Sequence, residues 1–267
     1  MEKMKGKVSI VIRELCKRFE REYGIKILFS IENGSRAWRM ESKDSDYDVR
    51  FVYHWPLEEY ISLKKPKDVI ERSFDLKGNA GGKDIDIVGF DIFKYLSLLV
   101  KSNPTAIEWV ISDIVYYSKQ NKVFQNYAKK NFNPLSLVYH YKSLSKNNYI
   151  KYIKSGSHVS YKKYLYALRG LVNAKYVIQK NEVPPIILLK AVNQVNIPKK
   201  LKEKIKRIIG LKKQGKEKNK IDNIEFIDKY IEKFLSEEPE LVPTRSISVN
   251  KLIPVDKLNR EIRKILS

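Results

Sequence analysis

The sequence has few of the residues that build disulfides and zinc sites. One cysteine and three histidines occur in 267 residues. A single cysteine excludes a disulfide framework within the chain and favours a cytoplasmic protein. Cys16 falls on the apolar side of a predicted helix, so we interpret it as a small core residue. The three histidines share no metal-ligand spacing, which excludes a zinc site built from them.

Long apolar runs are also missing. No window of the sequence contains the roughly 20 consecutive apolar residues that a membrane span needs. The first residues lack the apolar region of a secretory signal, and no internal repeat is visible. These absences predict a cytoplasmic protein without a membrane partner.

Acidic residues are fewer than basic residues in this chain. The chain has 31 Asp and Glu against 53 Lys and Arg, which gives a net charge of +22 and an isoelectric point near 9.7. Such basicity indicates an acidic partner, usually nucleic acid, and the many aromatic residues could stack on bases. Biased genomic base composition is the alternative cause, since the chain is also rich in Ile, Asn and Tyr.

The stretch Asn33–Tyr53 organises the candidate chemistry. A buried strand is predicted over residues 25–31, directly before Gly34-Ser35. Gly34 allows a tight turn and a close approach to a ligand. We expect Ser35, or Asn33, to cap a short helix over residues 36–40, whose N-terminus would bind a triphosphate.

A carboxylate-bearing strand follows this turn. Because side chains alternate along a strand, Asp46, Asp48 and Arg50 share one face. The other face carries the predicted core residues Tyr47, Val49, Phe51 and Tyr53. Paired carboxylates repel unless a cation lies between them, and Mg²⁺ prefers such oxygen ligands.

A two-metal site needs a third carboxylate from elsewhere in the chain. The predicted strand over residues 83–90 offers Asp86 as first choice and Asp84 as the alternative. An isolated Asp-x-Asp pair is usually a solvated turn. The ordered set of strand, Gly-Ser turn, Asp-x-Asp strand and Asp-bearing strand is more specific.

Other elements are predicted from periodicity. A helix over residues 5–23 precedes the first strand, and Asp91 caps a helix that buries Phe93, Leu96, Leu99 and Val100. Residues 73–77 form a strand that a turn at residues 78–82 joins to the Asp86 strand. Residues 113–117 form an edge strand. From about residue 121 the pattern is almost entirely helical.

Three motifs resemble the DNA polymerase β-like nucleotidyltransferase superfamily, and within it the RlaP family linked to RNA repair. They are G-S-R-A-W, D-S-D-Y-D-V-R-F and D-I-x-G-F-D. The resemblance covers residues 10 to 185 and implies that Gly34 and Ser35 hold nucleotide phosphates. It also implies that Asp46 and Asp48 bind the metals and that Asp86 completes the site beside the attacking hydroxyl.

The chain departs from the family pattern at one position. The family usually has glycine after the Ala-Trp pair, whereas this chain has Arg39. A bulky cation there would alter the loop or add a phosphate contact. Arg36 and Arg50, in the same stretch, complete the nucleotide contacts predicted for this region.

The predicted fold class is α+β (mixed α/β). Residues 1–120 form a polymerase β-like catalytic domain with a small mixed sheet, and residues 121–267 form a helical domain that closes the cleft. The helix over residues 160–180 carries the cations Lys162, Lys163 and Arg169, which would hold a triphosphate or an acceptor backbone. Arg169 is the best candidate because its fork suits phosphate. The alternative is the solvated face of a core helix.

The function predicted from these features is metal-dependent nucleotidyl transfer. With Mg²⁺ or Mn²⁺, a nucleoside triphosphate would give its monophosphate to an acceptor hydroxyl and release pyrophosphate. Basic charge and the family resemblance favour an RNA 3′ end, including that of tRNA, as acceptor. Two alternatives stay open: nucleotidylation of a protein or small molecule, and a non-catalytic nucleic-acid-binding module.

Overall fold

The chain folds as two compact units. The computed structural model describes residues 2–75, 84–118, 121–156, 159–216, 221, 224–240 and 254–267, with side chains from residue 6 onward. One unit comprises residues 2–37, the described residues between Ser45 and Asn131, and residues 254–267; the other comprises Trp38–Asp44 and the described residues between Phe132 and Glu240. The predicted division into 1–120 and 121–267 stays a prediction.

A five-stranded mixed sheet forms the centre of the first unit, as the sequence predicted. Its strands in chain order are β1 (Lys26–Glu32), β2 (Tyr47–His54), β3 (Val69–Asp75), β4 (Asp84–Asp91) and β5 (Val115–Tyr117). The spatial order is β3-β4-β2-β1-β5, and only the β2–β4 pairing of these described strands is parallel. The predicted edge strand is therefore confirmed as β5. The predicted turn at residues 78–82 lies outside the described residues.

One face of this sheet packs against α1 (Glu2–Tyr23). The predicted core side chains of β2 are buried here, together with the apolar stripe of the helix that contains Cys16 and Phe19. Alternation along β2 is therefore confirmed, and it leaves Asp48 and Arg50 on the opposite face. Burial of apolar surface on this side fixes the register of the strand that carries the carboxylates.

The helix predicted over residues 36–40 is wrong in its bounds. The structure has a four-residue turn, α2 (Gly34–Ala37), that begins two residues earlier. Gly34 takes a positive φ of 60°, and the Ala37 amide donates to the Asn33 carbonyl at 3.4 Å. A single turn of four residues has a weaker dipole at its N-terminus than the short helix predicted over residues 36–40 would have.

Four further helices of the first unit lie between or after the strands in the chain. They are α3 (Leu57–Tyr60), α4 (Ile92–Val100), α5 (Pro104–Ile111) and α6 (Lys122–Lys130). Asp91 caps α4 as predicted, by accepting from the Phe93 amide at 2.9 Å. The predicted buried stripe is partly wrong: Phe93 and Val100 are exposed, whereas Leu96 and Leu99 are buried beside Ile92 and Tyr95. Residues 92, 95, 96 and 99 form the closer match to helical spacing.

The second unit is helical. Its helices are α7 (Pro134–Asn148), which continues as a π-helical turn (Tyr149–Lys154), then α8 (Tyr161–Lys180), α9 (Leu188–Gln194), α10 (Lys199–Lys213) and α11 (Glu225–Ser236). α7 and α8 pack closely at Gly170, where a Cβ would lie 2.6 Å from the Tyr141 carbonyl oxygen. The last helix, α12 (Val255–Leu266), belongs to the first unit, where Glu261 accepts from Asn121 at 2.6 Å.

None of the helices in the described ranges combines the length and the apolar character that crossing a membrane requires.

Candidate active site

Two of the predicted carboxylates lie side by side on the face of the sheet opposite α1. Asp48 on β2 and Asp86 on β4 are directly paired in the parallel register. Their side chains are 34% and 44% exposed. Neighbouring strands are about 4.8 Å apart, so the two negative charges are close. The structure therefore brings together residues that are 38 positions apart in the chain.

Arg50 supplies the positive charge between them. Its Nη2 donates to Asp86 Oδ2 at 3.0 Å and lies 3.5 Å from Asp48 Oδ1. Its Nη1 donates to the carbonyl oxygens of Val49 at 2.9 Å and Asp86 at 3.0 Å. The guanidinium predicted as a nucleotide contact is thus paired with the carboxylates in this structure.

Gly34 lies against the Asp48 carboxylate. A Cβ at this position would overlap Asp48 Oδ2, and the backbone has a positive φ of 60° that glycine adopts without strain. The preceding residue is hydrogen-bonded to β2, because the Asn33 amide donates to the Asp48 carbonyl at 2.8 Å. The Gly-Ser turn is therefore adjacent to Asp48, and Ser35 within it is 7% exposed.

Asp46 was predicted on the same strand face as Asp48 and Arg50, but it precedes β2 and is exposed. Its Oδ1 accepts from the Asp84 amide at 3.4 Å. Within the described ranges, no three or more Asp, Glu, His or Cys side chains are grouped in a way that could hold a metal ion. The structure thus brings Asp48 and Asp86 together through Arg50, and places Asp46 beside the first residue of β4.

Arg36 is buried and holds the backbone that leads into β2. Its Nε donates to the Asp46 carbonyl at 2.9 Å, and its Nη2 donates to the Ser45 carbonyl. The guanidinium carbon lies 3.9 Å from the centre of the Tyr47 ring. These contacts fix the position of Asp46 relative to the Gly-Ser turn.

Sequence reasoning missed Glu32, which is fully buried at the end of β1. Its Oε1 accepts from the Asp48 amide at 2.9 Å, and its Oε2 accepts from the Tyr116 hydroxyl. Burial is the main cause that raises the pKa of Glu32 to about 7. An acidic residue that ends an apolar strand just before a Gly-Ser turn is the signal that could have identified it.

Two of the three cations predicted on α8 lie over aromatic rings of the helical unit. The Lys163 ammonium lies 3.4 Å from the centre of the Tyr152 ring, and the Arg169 guanidinium carbon lies 3.7 Å from that of Trp38. Arg169 is only 5% exposed. Lys162 and Tyr166 are half-buried, and the Tyr166 ring meets Trp38 edge-on at 5.6 Å.

Arg39 has a positive φ of 58°. This left-handed conformation is one that glycine adopts easily and that costs other residues about 1 kcal/mol. The positive φ therefore explains why glycine suits the position after the Ala-Trp pair. Arg39 retains that conformation despite its side chain.

The carboxylates fit a divalent cation in donor type and in placement. One nitrogen of Arg50 contacts both Asp48 and Asp86, so the two side chains are placed to share a positive charge. Carboxylate oxygens are the ligands that Mg²⁺ prefers. Gly34 lets the Asp48 carboxylate pack directly against the backbone of the turn, since any Cβ there would overlap Asp48 Oδ2.

Comparison with known proteins gives one family match that spans most of the chain. The family is RlaP, described as "RNA repair pathway DNA polymerase beta family", and its model matches residues 8–261. The chain is also 37% identical over 238 residues to the uncharacterized protein YcgL of Bacillus subtilis (strain 168). That alignment covers 86% of this chain and 88% of the relative.

Among solved structures, the chain is similar to a nucleotidyltransferase-like protein from Exiguobacterium sibiricum 255-15. The identity is 12% and the TM-score is 0.30, with 84% of this chain and 72% of the other covered. Those values support no inference about this chain.

Proposed function

This chain belongs to the RlaP family of DNA polymerase β-like nucleotidyltransferases, and we propose that it transfers a nucleoside monophosphate from a nucleoside triphosphate to the 3′ hydroxyl of an RNA. The observation that supports the proposal is the direct pairing of Asp48 and Asp86 beside the Gly34 turn. Paired carboxylates next to a glycine turn suit a metal-bound triphosphate.

The proposed metal ligands are Asp46, Asp48 and Asp86, with Mg²⁺ or Mn²⁺ as the cation. When bound, the metal supplies Lewis acidity and lowers the pKa of the acceptor hydroxyl. Asp48 and Asp86 would hold the metal near the ends of two neighbouring strands, and Arg36 fixes the backbone of Asp46. Phosphoryl transfer depends mostly on positioning and electrostatics, so rigid placement of the carboxylates is what the chain must provide.

The proposed nucleotide contacts come from the turn and from the cations. Gly34 and Ser35 stay the proposed phosphate contacts, because their turn packs directly against the Asp48 carboxylate, a proposed metal ligand. Arg50 remains a proposed phosphate contact once its carboxylate partners are engaged elsewhere, and the nucleotide contacts expected of Lys163 and Arg169 stay predictions from the sequence. Glu32 supports the site by accepting from the Asp48 amide.

RNA is proposed as the acceptor because of the net charge of +22. A small-molecule acceptor gives no reason for such a charge, whereas RNA affinity is dominated by phosphate contacts with Lys and Arg. The description of the family, which names an RNA repair pathway, agrees with this choice.

The test is transfer of labelled nucleotide. Purified protein is incubated with each α-labelled nucleoside triphosphate, Mg²⁺ or Mn²⁺, and a pool of small RNAs with free or oxidised 3′ ends. We expect label only in RNA with a free 3′ hydroxyl. Asp48→Asn should lose activity by on the order of 100-fold or more, since removal of a group that stabilises transition-state charge has this effect.

The matched control is Asp68→Asn, which removes a carboxylate of the same unit that pairs with Lys94 at 2.8 Å, remote in sequence from the motifs. It should retain wild-type transfer. Label found in the protein itself would contradict the RNA acceptor and indicate that a protein is the acceptor. Wild-type turnover by Asp48→Asn would contradict the assignment of the site, and absence of any transfer despite nucleotide binding would contradict the RNA acceptor.

A further inference from the structure

The Asp48–Asp86 pair already has a cation of its own. Two carboxylates on adjacent strands repel each other unless positive charge lies between them. The Arg50 side chain, only 15% exposed, provides that charge through one nitrogen, which lies 3.0 Å from Asp86 Oδ2 and 3.5 Å from Asp48 Oδ1. A guanidinium stays protonated at any physiological pH. The charge is therefore permanent.

The guanidinium is also anchored from behind. Its Nη1 donates to the Val49 carbonyl at 2.9 Å and to the Asp86 carbonyl at 3.0 Å. Both acceptors belong to the paired strands and cannot move without disturbing the sheet. Nη2 is consequently presented to the carboxylates, and withdrawal of the whole side chain would break these two hydrogen bonds.

Asp86 is oriented on both sides. Its Oδ2 accepts from Arg50, whereas its Oδ1 lies 3.3 Å from the donating Ser73 hydroxyl on β3. A divalent cation that binds Asp86 through Oδ2 or Asp48 through Oδ1 therefore competes with Nη2 for that oxygen. It must also bind near a positive charge that remains attached to the backbone.

We infer that Arg50 is a built-in counter-cation of the metal site: it holds Asp48 and Asp86 together in the metal-free protein and competes with a divalent cation for them. The inference rests on the metal part of the proposed function. It makes Arg50 a positioning residue whose charge lowers metal affinity, and which stabilises the sheet when no metal is bound.

The first measurement is a titration of the protein with Mn²⁺, without nucleotide or RNA. The electron paramagnetic resonance signal of free Mn²⁺ reports how much of the metal is bound. Arg50→Gln should bind Mn²⁺ about tenfold more tightly than wild type, because the competing charge is gone. In chelator it should unfold at a lower temperature than wild type, and saturating Mn²⁺ should reduce that difference. A structural role alone would not raise metal affinity.

Two further variants serve as controls. Arg50→Lys keeps the positive charge and should stay close to the wild-type affinity. Arg72→Gln removes another sheet arginine that pairs with a carboxylate, Glu22 at 2.8 Å, and it should leave Mn²⁺ affinity unchanged. Equal or weaker Mn²⁺ binding by Arg50→Gln would overturn the inference.

A second measurement does not depend on the stability of Arg50→Gln. In wild-type protein, the guanidinium resonance of Arg50, identified by its loss in Arg50→Lys, should shift as Mg²⁺ is added. A resonance that stays fixed while Mg²⁺ binds would overturn the inference, and so would the absence of metal binding by any variant. If Arg50→Gln binds Mn²⁺ more tightly but the wild-type protein transfers no nucleotide, the inference is supported and the proposed function is contradicted.

Discussion

At the scale of single residues, Gly34 is the position with the strictest requirement. Its positive φ and its contact with the Asp48 carboxylate each exclude a side chain. The first requirement is conformational and the second is steric. They can be separated because Gly24, at the end of α1, has a positive φ of 67° with no atom within 4 Å of an added Cβ.

We expect Gly34→Ala to lower the free energy of unfolding by about 2–4 kcal/mol, since it adds a steric overlap to the strain of a positive φ. Gly24→Ala should lose only the conformational part, about 1 kcal/mol. Denaturant titration measures both values. A loss in Gly34→Ala no larger than that in Gly24→Ala would show that Asp48 accommodates the methyl group.

Other residue-scale features show what the sequence could not provide. The alternation of Asp48 and Arg50 with the buried residues of β2 was predictable, because side-chain direction in a strand has a period of two. The role of Glu32 was not, because its hydroxyl partner, Tyr116, is 84 residues away. The stacking of Arg169 on Trp38 was hidden in the same way.

At the scale of elements, the parallel pairing of β2 and β4 assembles the site. Gly89 on β4 pairs with Phe51 on β2, and a Cβ on Gly89 would overlap the Phe51 ring. The glycine of the D-I-x-G-F-D motif therefore has a packing reason: it allows an aromatic side chain of the neighbouring strand to lie over β4.

We expect Gly89→Ala to destabilise the protein by about 1–3 kcal/mol through overpacking. Phe51→Leu creates space at the same point, so the two changes should be less harmful together than the sum of the single changes. Urea unfolding of the four proteins gives the coupling free energy. Strict additivity would mean that the ring and the glycine do not constrain each other.

Element types were largely predictable, whereas some bounds and faces were not. The strands at 26–32 and 47–54 and the helix at 161–180 agree with the periodicities read from the sequence. The helix predicted at residues 36–40 is instead the α2 turn at residues 34–37, which starts at Gly34 with its positive φ. The face of α4 was partly misjudged because two apolar patterns compete there.

At the scale of the whole molecule, charge is the dominant property. With 53 basic and 31 acidic side chains, the protein should attract polyanions regardless of their sequence. Counterion release from RNA then makes the affinity depend steeply on salt.

We expect RNA affinity to fall by on the order of 100-fold or more between 50 and 200 mM KCl, as it does for proteins that make several phosphate contacts. Fluorescence anisotropy with a labelled single-stranded RNA measures this change. Asp48→Asn should show the same slope, because binding to the RNA backbone does not require the carboxylate that we propose as a metal ligand. A change of less than about twofold would argue against an electrostatic RNA surface.

The single cysteine has a practical consequence for experiments on this chain. Cys16 is fully buried in α1, and burial raises the pKa of its thiol to about 12. The thiolate, which is the reactive form, is therefore scarce in the native protein. A cysteine introduced at an exposed position of either unit would take up a maleimide dye or spin label almost alone, so the natural thiol need not be removed first.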